Sequence, residues 1–227
     1  MEKEMNWKEV DKYLDTIDLD PKHQEFKNYI KTPLDFYHSN PTKFRTVAAD
    51  ENKGETNWQR VLFEEDKTYV SRPRWWDMEL PIGQTQTNVD GRTQTQSKRV
   101  DMIGELNGRP VICELKFYRK GGSVADNPLE ATIQLLAYYS MILNNADKLD
   151  SAPRVCHKNE EVKPFEWKKL RNNPILMLRA NDAYWEYWSE KKYDENMWNA
   201  LQQIRNICKE NGLEIQLWNK EGQIYLQ

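Results

Sequence analysis

The spacing of apolar residues divides this chain into helical and extended stretches. Trp7–Ile17 carries a helical stripe that ends at Asp20-Pro21, and Pro21–Ile30 carries a second. A loop-like stretch around Ser39-Asn40-Pro41 follows. Thr56, read as an N-cap, precedes Trp58, Val61 and Leu62 at helical spacing. Lys67–Arg72 and Arg74–Leu80 read as extended, the second opening just after Pro73. The polar run Gln84–Ser97 contains Asp90-Gly91 and reads either as a surface loop or as an exposed hairpin.

The pattern sharpens from Lys98 onward. Arg99–Leu106 and Arg109–Tyr118 are β-rich runs on either side of Asn107-Gly108, a pair suited to the positive φ angles of a two-residue hairpin turn. Asn127-Pro128-Leu129-Glu130 supplies an N-cap, an N1 proline and an acidic N3 residue. Leu129, Ile133, Leu136, Ser140 and Leu143 then mark one stripe of the helix that follows. Ile175–Ala180 reads as a buried strand, and Glu195–Lys209 as a helix closed by Asn211-Gly212. Leu213–Trp218 and Gln223–Gln227 read as a terminal strand pair. This order predicts an α/β protein with a mixed sheet and helices packed on it. Residues 1–50 form a helical extension to a domain spanning 51–227, whose core is expected at about 55–180, with a helix and strand pair added in 181–227.

Composition narrows the class. Charged residues make up 30% of the 227, yet nine Trp and eleven Tyr argue for a packed core despite a mean hydropathy of −0.93. No run approaches the ~18 apolar residues of a membrane helix, and the charged start lacks the apolar stretch of a signal peptide, so the expected location is cytoplasmic. Cys113, Cys156 and Cys208 stand far apart and read as reduced thiols rather than zinc or iron–sulfur ligands. His23, His38 and His157 form no spaced pair and are assigned no metal. The net charge of −3 is uneven: residues 1–66 carry ten basic against fifteen acidic side chains, and residues 67–126 carry ten against seven. A polyanion would therefore be met by the middle of the chain.

The candidate chemistry lies on the central hairpin. A two-residue turn at Asn107-Gly108 pairs Leu106 with Arg109 and sets Asp101 opposite Glu114, with Cβ atoms ~4.5–5.5 Å apart. Lys116 shares their face, whereas Val111, Cys113, Leu115 and Phe117 point the other way. Two opposed carboxylates repel unless a cation compensates. Oxygen ligands with no neighbouring His or Cys favour magnesium or manganese over zinc.

Val100-Asp101, a twelve-residue gap, Glu114-Leu115-Lys116 and a following helix with Gln134 resemble the PD-(D/E)XK nuclease superfamily, over roughly Glu55 to Ala180. The resemblance implies a restriction-endonuclease-like core of α-β-β-β-α-β order and a magnesium-dependent nuclease acting on nucleic acid, with DNA favoured over RNA and the choice between them left open. It implies that Asp101 and Glu114 bind the metal together with the backbone carbonyl of Leu115. Lys116 would orient or activate the attacking water, and Gln134 would support the site. Family members often add a glutamate from the first core helix, for which Glu55 is the first candidate, ahead of Glu64 and Glu65. Val100 stands where the motif's proline would be, and the cysteines of the iron–sulfur members are absent.

Arg119 and Lys120, just past the active strand, are candidates for gripping phosphates or form an ordinary solvated loop, as do Arg92, Lys98 and Arg99. The pairs Trp75-Trp76, Tyr184-Trp185 and Tyr187-Trp188 suit base stacking or core packing. Three other readings compete. One is a binding module of the same fold without catalysis; another is a carbohydrate enzyme built on the two close carboxylates. The third is a structural protein that recruits partners through its acidic N-terminal region. Endonuclease or exonuclease action, biological role and oligomeric state are left open.

Overall fold

The computed structural model describes residues 7–31, 53–82, 85–87, 93–95, 98–123, 126–151 and 166–225. The elements are α1 (Trp7–Leu14), α2 (Pro21–Lys31), α3 (Glu55–Glu65), β1 (Arg74–Ile82), β2 (Thr85–Thr87) and β3 (Thr93–Thr95). They continue with β4 (Lys98–Leu106), β5 (Arg109–Lys116), α4 (Pro128–Asn144), α5 (Ala146–Ser151) and β6 (Ile175–Ala180). The last are α6 (Asp182–Glu186), α7 (Glu195–Glu210), β7 (Glu214–Trp218) and β8 (Gln223–Ile224).

Six strands form one mixed sheet in the order β1-β4-β5-β6-β7-β8. The pairs β1–β4, β4–β5 and β7–β8 are antiparallel; β5–β6 and β6–β7 are parallel. A parallel neighbour requires a crossover, and α4 lies within the one that joins β5 to β6. Strand alternation sorts the side chains into two layers. Met102, Val111, Cys113, Leu115 and Met177 pack with Trp58, Leu62 and Phe63 of α3 on one face. Ile103, Ile112, Leu176 and Leu178 pack on the other face, against α4, α7 and the N-terminal helices. Apart from the half-buried Glu130, the helix α4 is buried from Pro128 to Ile142, more completely than one apolar stripe would require. The strands and helices from α3 to β6, leaving aside the small β2–β3 ribbon, α5 and the 3₁₀ turns, follow the order α-β-β-β-α-β.

Asn107 and Gly108 both take positive φ, at 52° and 76°, and the β4–β5 register that results pairs Leu106 with Arg109 through to Met102 with Cys113. Gly104 faces β1 so closely that a Cβ there would stand 2.3 Å from the Arg74 carbonyl oxygen. The polar ribbon pairs as β2–β3, and its Asp90-Gly91 turn lies outside the described residues, as do Ser39-Asn40-Pro41, His38, His157, Cys156 and Arg92.

Two expectations are corrected. Thr56 does not cap α3: the helix begins at Glu55 behind Gly54, whose φ of 130° lets the chain turn sharply into it. Lys67–Arg72 is not extended. Asp66–Thr68 forms a 3₁₀ turn, which the Thr68 hydroxyl closes on the Glu65 carbonyl. The chain is pinned there by the buried Asp66, which accepts from Trp75 Nε1 at 2.6 Å and from both terminal nitrogens of Arg179. Arg179 in turn donates to the carbonyls of Asn219 and Lys220, tying α3, β1, β6 and the β7–β8 turn together. Among the described residues, no helix is long and apolar enough to cross a membrane.

Candidate active site

The site lies where β5 ends. Strand alternation carries Glu114 and Lys116 toward α4, and both are buried. One step beyond the Met102–Cys113 pair the ladder changes character: the Asp101 carboxylate accepts the backbone N–H of Leu115 at 2.7 Å. Gln59 of α3 fixes Asp101 from the opposite side by donating to its carbonyl at 2.7 Å. Glu55, one turn earlier on the same helix, accepts the N–H of Phe117 at 3.1 Å. The first turn of α3 therefore closes over the ends of β4 and β5.

Lys116 is the hub. Its Nζ donates to Glu114 Oε1 at 2.8 Å and to Gln134 Oε1 at 3.3 Å, and it lies 3.3 Å from Asp126 Oδ2. Gln134 is oriented by its own amide nitrogen, which donates to the Tyr138 hydroxyl one helical turn on, at 2.8 Å. Asp126 precedes the capping box of α4, in which Asn127 accepts from the Glu130 N–H and Glu130 accepts from the Asn127 N–H.

Electrostatics follow from this crowding. Burial pushes Glu114 up to about 7, against the pull of Lys116. Burial raises Asp101 well above the usual carboxylate range, and the charges of Glu114 and Glu55 raise it further. Glu55 is exposed over much of its side chain, yet the protein packed around its carboxylate raises it too, opposed by Lys116 and the Phe117 N–H. Burial alone would lower Lys116, but Glu114, Asp126 and Asp101 outweigh it and hold the ammonium protonated. Negative charge exceeds positive here.

Glu114 Oε2 is buried with no hydrogen-bond partner. An orphaned carboxylate oxygen among carboxylates that are costly to ionise is the environment a hard divalent cation relieves. Asp101, Glu114 and the Leu115 carbonyl are oxygen donors, so the residues present fit magnesium or manganese.

The structure brings Asp101, Glu114, Leu115, Lys116, Gln134 and Glu55 to one end of the sheet. Glu64 is exposed and binds Lys67, while Glu65 lies near Lys220, so neither joins them. Arg119 and Lys120 occupy the exposed turn just past β5, closed by the Gly122 N–H on the Arg119 carbonyl. Trp75, Tyr184 and Trp185 are buried packing residues, whereas Trp76, Tyr187 and Trp188 are half-buried. Gln59 and Asp126 were not legible as site residues. Gln59 stands four residues after Glu55, on the same helix face, which is a usable signal. Asp126 lies in irregular chain, where periodicity says nothing.

Comparison with known protein families, with curated proteins and with solved structures finds no match to this chain.

Proposed function

We propose that this protein is a metal-dependent nuclease with a restriction-endonuclease-like core, hydrolysing phosphodiester bonds of nucleic acid, with DNA favoured over RNA. The observation that carries the reading is the buried Lys116 ammonium at the end of β5, ringed by Glu114, Asp126 and Gln134 and set beside the orphaned Glu114 oxygen. Asp101, Glu114 and the Leu115 carbonyl would hold magnesium, which when bound polarises a phosphate oxygen and lowers the pKa of a water. Lys116 places a fixed positive charge where negative charge develops during attack, in a site that excludes most solvent. Gln134, locked by Tyr138, holds the ammonium in direction. Arg119 and Lys120, exposed on the turn just past β5, would offer phosphate contacts to a bound strand.

The test is cleavage of single-stranded, duplex and branched DNA, and of RNA, with magnesium, with manganese and with EDTA. Lys116→Ala and Asp101→Asn are run beside the native chain, at temperatures where melting shows all three folded. Cutting that EDTA and both substitutions abolish is expected. Cutting that survives in folded Lys116→Ala or in EDTA would overturn the mechanism. No cutting and no calorimetric metal binding would leave a nucleic-acid-binding or partner-binding module on the same fold.

A further inference from the structure

We infer that Asp126 and His23 are positioning residues of this site: the Asp126 carboxylate bridges an imidazole on α2 to the Lys116 ammonium, so the N-terminal helix pair sets where that ammonium stands. The inference rests on Lys116 serving the reaction proposed above. Asp126 turns its two oxygens in different directions. Oδ2 lies 3.3 Å from Lys116 Nζ, and Oδ1 lies 3.7 Å from His23 Nε2. On its C-terminal side the Asp126 backbone is fixed by the Tyr184 hydroxyl, which donates to its carbonyl at 2.8 Å, and by the α4 capping box that begins at the next residue.

His23 is itself held firmly. It is 1% exposed, and its Nδ1 lies 2.7 Å from Asp20 Oδ1, so that nitrogen carries a proton. The same Asp20 oxygen accepts the His23 backbone N–H at 2.9 Å. The groups facing the imidazole are Asp20, Asp126, Glu130 at 3.7 Å from Nδ1, and the Phe26 ring. Asp20, His23 and Glu130 cluster closely enough to suggest a cation site. Each carboxylate already has a structural task there, however: Asp20 holds the start of α2, and Glu130 closes the capping box of α4. Burial opposes the charged form of the imidazole, but Asp126, Asp20 and Glu130 around it outweigh burial and raise its pKa. Nε2 is buried without a hydrogen-bond partner, and the carboxylate it faces is Asp126, 3.7 Å away.

A second, apolar route reaches the same ammonium. Phe26 of α2 packs edge-on against Tyr138 at 5.7 Å, Tyr138 holds Gln134, and Gln134 accepts from Lys116. Both routes begin on α2. Asp126 gives the ammonium a second anionic partner, at 3.3 Å beside Glu114 at 2.8 Å, and so holds it between the two carboxylates. Without Asp126, the ammonium would keep Glu114 and Gln134 but lose the partner that ties it to α2.

The experiment uses the full-length chain. The His23 imidazole is titrated by NMR, with His23→Gln assigning its signals, and cleavage is measured under the conditions above. Asp126→Asn should lower the His23 midpoint. Lys116→Met should raise it, and much less so when Asp126→Asn is already present. In cleavage, Asp126→Asn and His23→Gln should lose about 10–100-fold in kcat, the range usual for groups that orient a metal site, with KM within about twofold. Asp126→Glu should recover part of the loss. A His23 midpoint that ignores Asp126→Asn overturns the bridge. Native kcat in folded Asp126→Asn overturns the positioning role. A native chain that cuts nothing removes the reaction and the positioning role with it, while the titration still decides whether the bridge exists.

Discussion

Glu114 is asked to be a carboxylate in a place that disfavours one. Its pKa is raised from the ordinary carboxylate value to about 7, chiefly by burial, and Asp101 beside it is raised for the same reason. A carboxyl whose folded pKa is raised binds its proton more tightly folded than unfolded. The stability it contributes is therefore complete below about 4.5 and is lost as pH rises to about 7. The shift corresponds to something on the order of 3 kcal/mol. Metal-free protein is thus expected to melt at a lower temperature at pH 8 than at pH 5.5. Magnesium should restore much of the difference at pH 8, and Glu114→Gln should flatten the pH dependence. Thermal melts in EDTA and in magnesium check this; a melting temperature that climbs from pH 5.5 to 8 without metal would contradict it. The spacing that led to Glu114 was legible because hairpin geometry is local: once Asn107-Gly108 fixes the turn, counting gives the pairs from Leu106–Arg109 to Met102–Cys113. The Asp101–Glu114 pair it also predicts is not part of the ladder, and Asp101 instead accepts the Leu115 N–H. Asp126 was not legible, because its position depends on Tyr184 and on a helix cap that meet only in the folded chain.

At the scale of elements, the parts with a local cause were readable and those with a tertiary cause were not. The Asn127 capping box and the positive φ angles at Asn107-Gly108 are written in adjacent residues, and both appear in the structure. The Lys67–Arg72 segment has strand-like residues, but Asp66 is drawn into a buried pair with Arg179, 113 positions away, and bends the chain into a 3₁₀ turn. Gly104 is a similar case. In sequence it is only a weak residue inside a strand, yet β1 lies tight against it. A Cβ would meet the Arg74 carbonyl oxygen at 2.3 Å and the Trp75 Cα at 2.9 Å, both backbone atoms that cannot swing aside. Gly104→Ala should therefore destabilise the protein by about 2–3 kcal/mol, the upper part of the range for overpacking. It should also loosen the strand that carries Asp101. Urea unfolding measures the first effect and magnesium affinity the second; a Gly104→Ala midpoint equal to the native one would show that β1 shifts freely at this place.

The N-terminal helices decide how the whole molecule divides. The N-terminal region that carries them is net acidic and precedes the motif-bearing region, which suggests an appendage. In the structure, Val10 and Leu14 of α1 and Phe26 and Ile30 of α2 are at most 3% exposed and belong to the same hydrophobic cluster as α4 and the sheet. Fully burying side chains of this kind contributes roughly 1.5–3 kcal/mol each, so the four together amount to about 6–12 kcal/mol. That figure matches the whole net stability of an ordinary domain, about 5–15 kcal/mol. Removing residues 1–50 would also strip Phe26 from Tyr138 and His23 from Asp126, leaving the α4 side of the site without its cover. The truncated chain is accordingly expected to lose cooperative unfolding, bind a hydrophobic dye and fail to cut nucleic acid, rather than persist as an active core. A truncated chain that melts in one sharp transition and cuts at the native rate would mean that α1 and α2 only rest on the domain. Alanine at Phe26 in the full-length protein separates the two ideas more gently. Loss of the α2–α4 contact should lower kcat through Gln134 as well as the melting temperature, whereas a helix that merely rests there would lower the melting temperature alone.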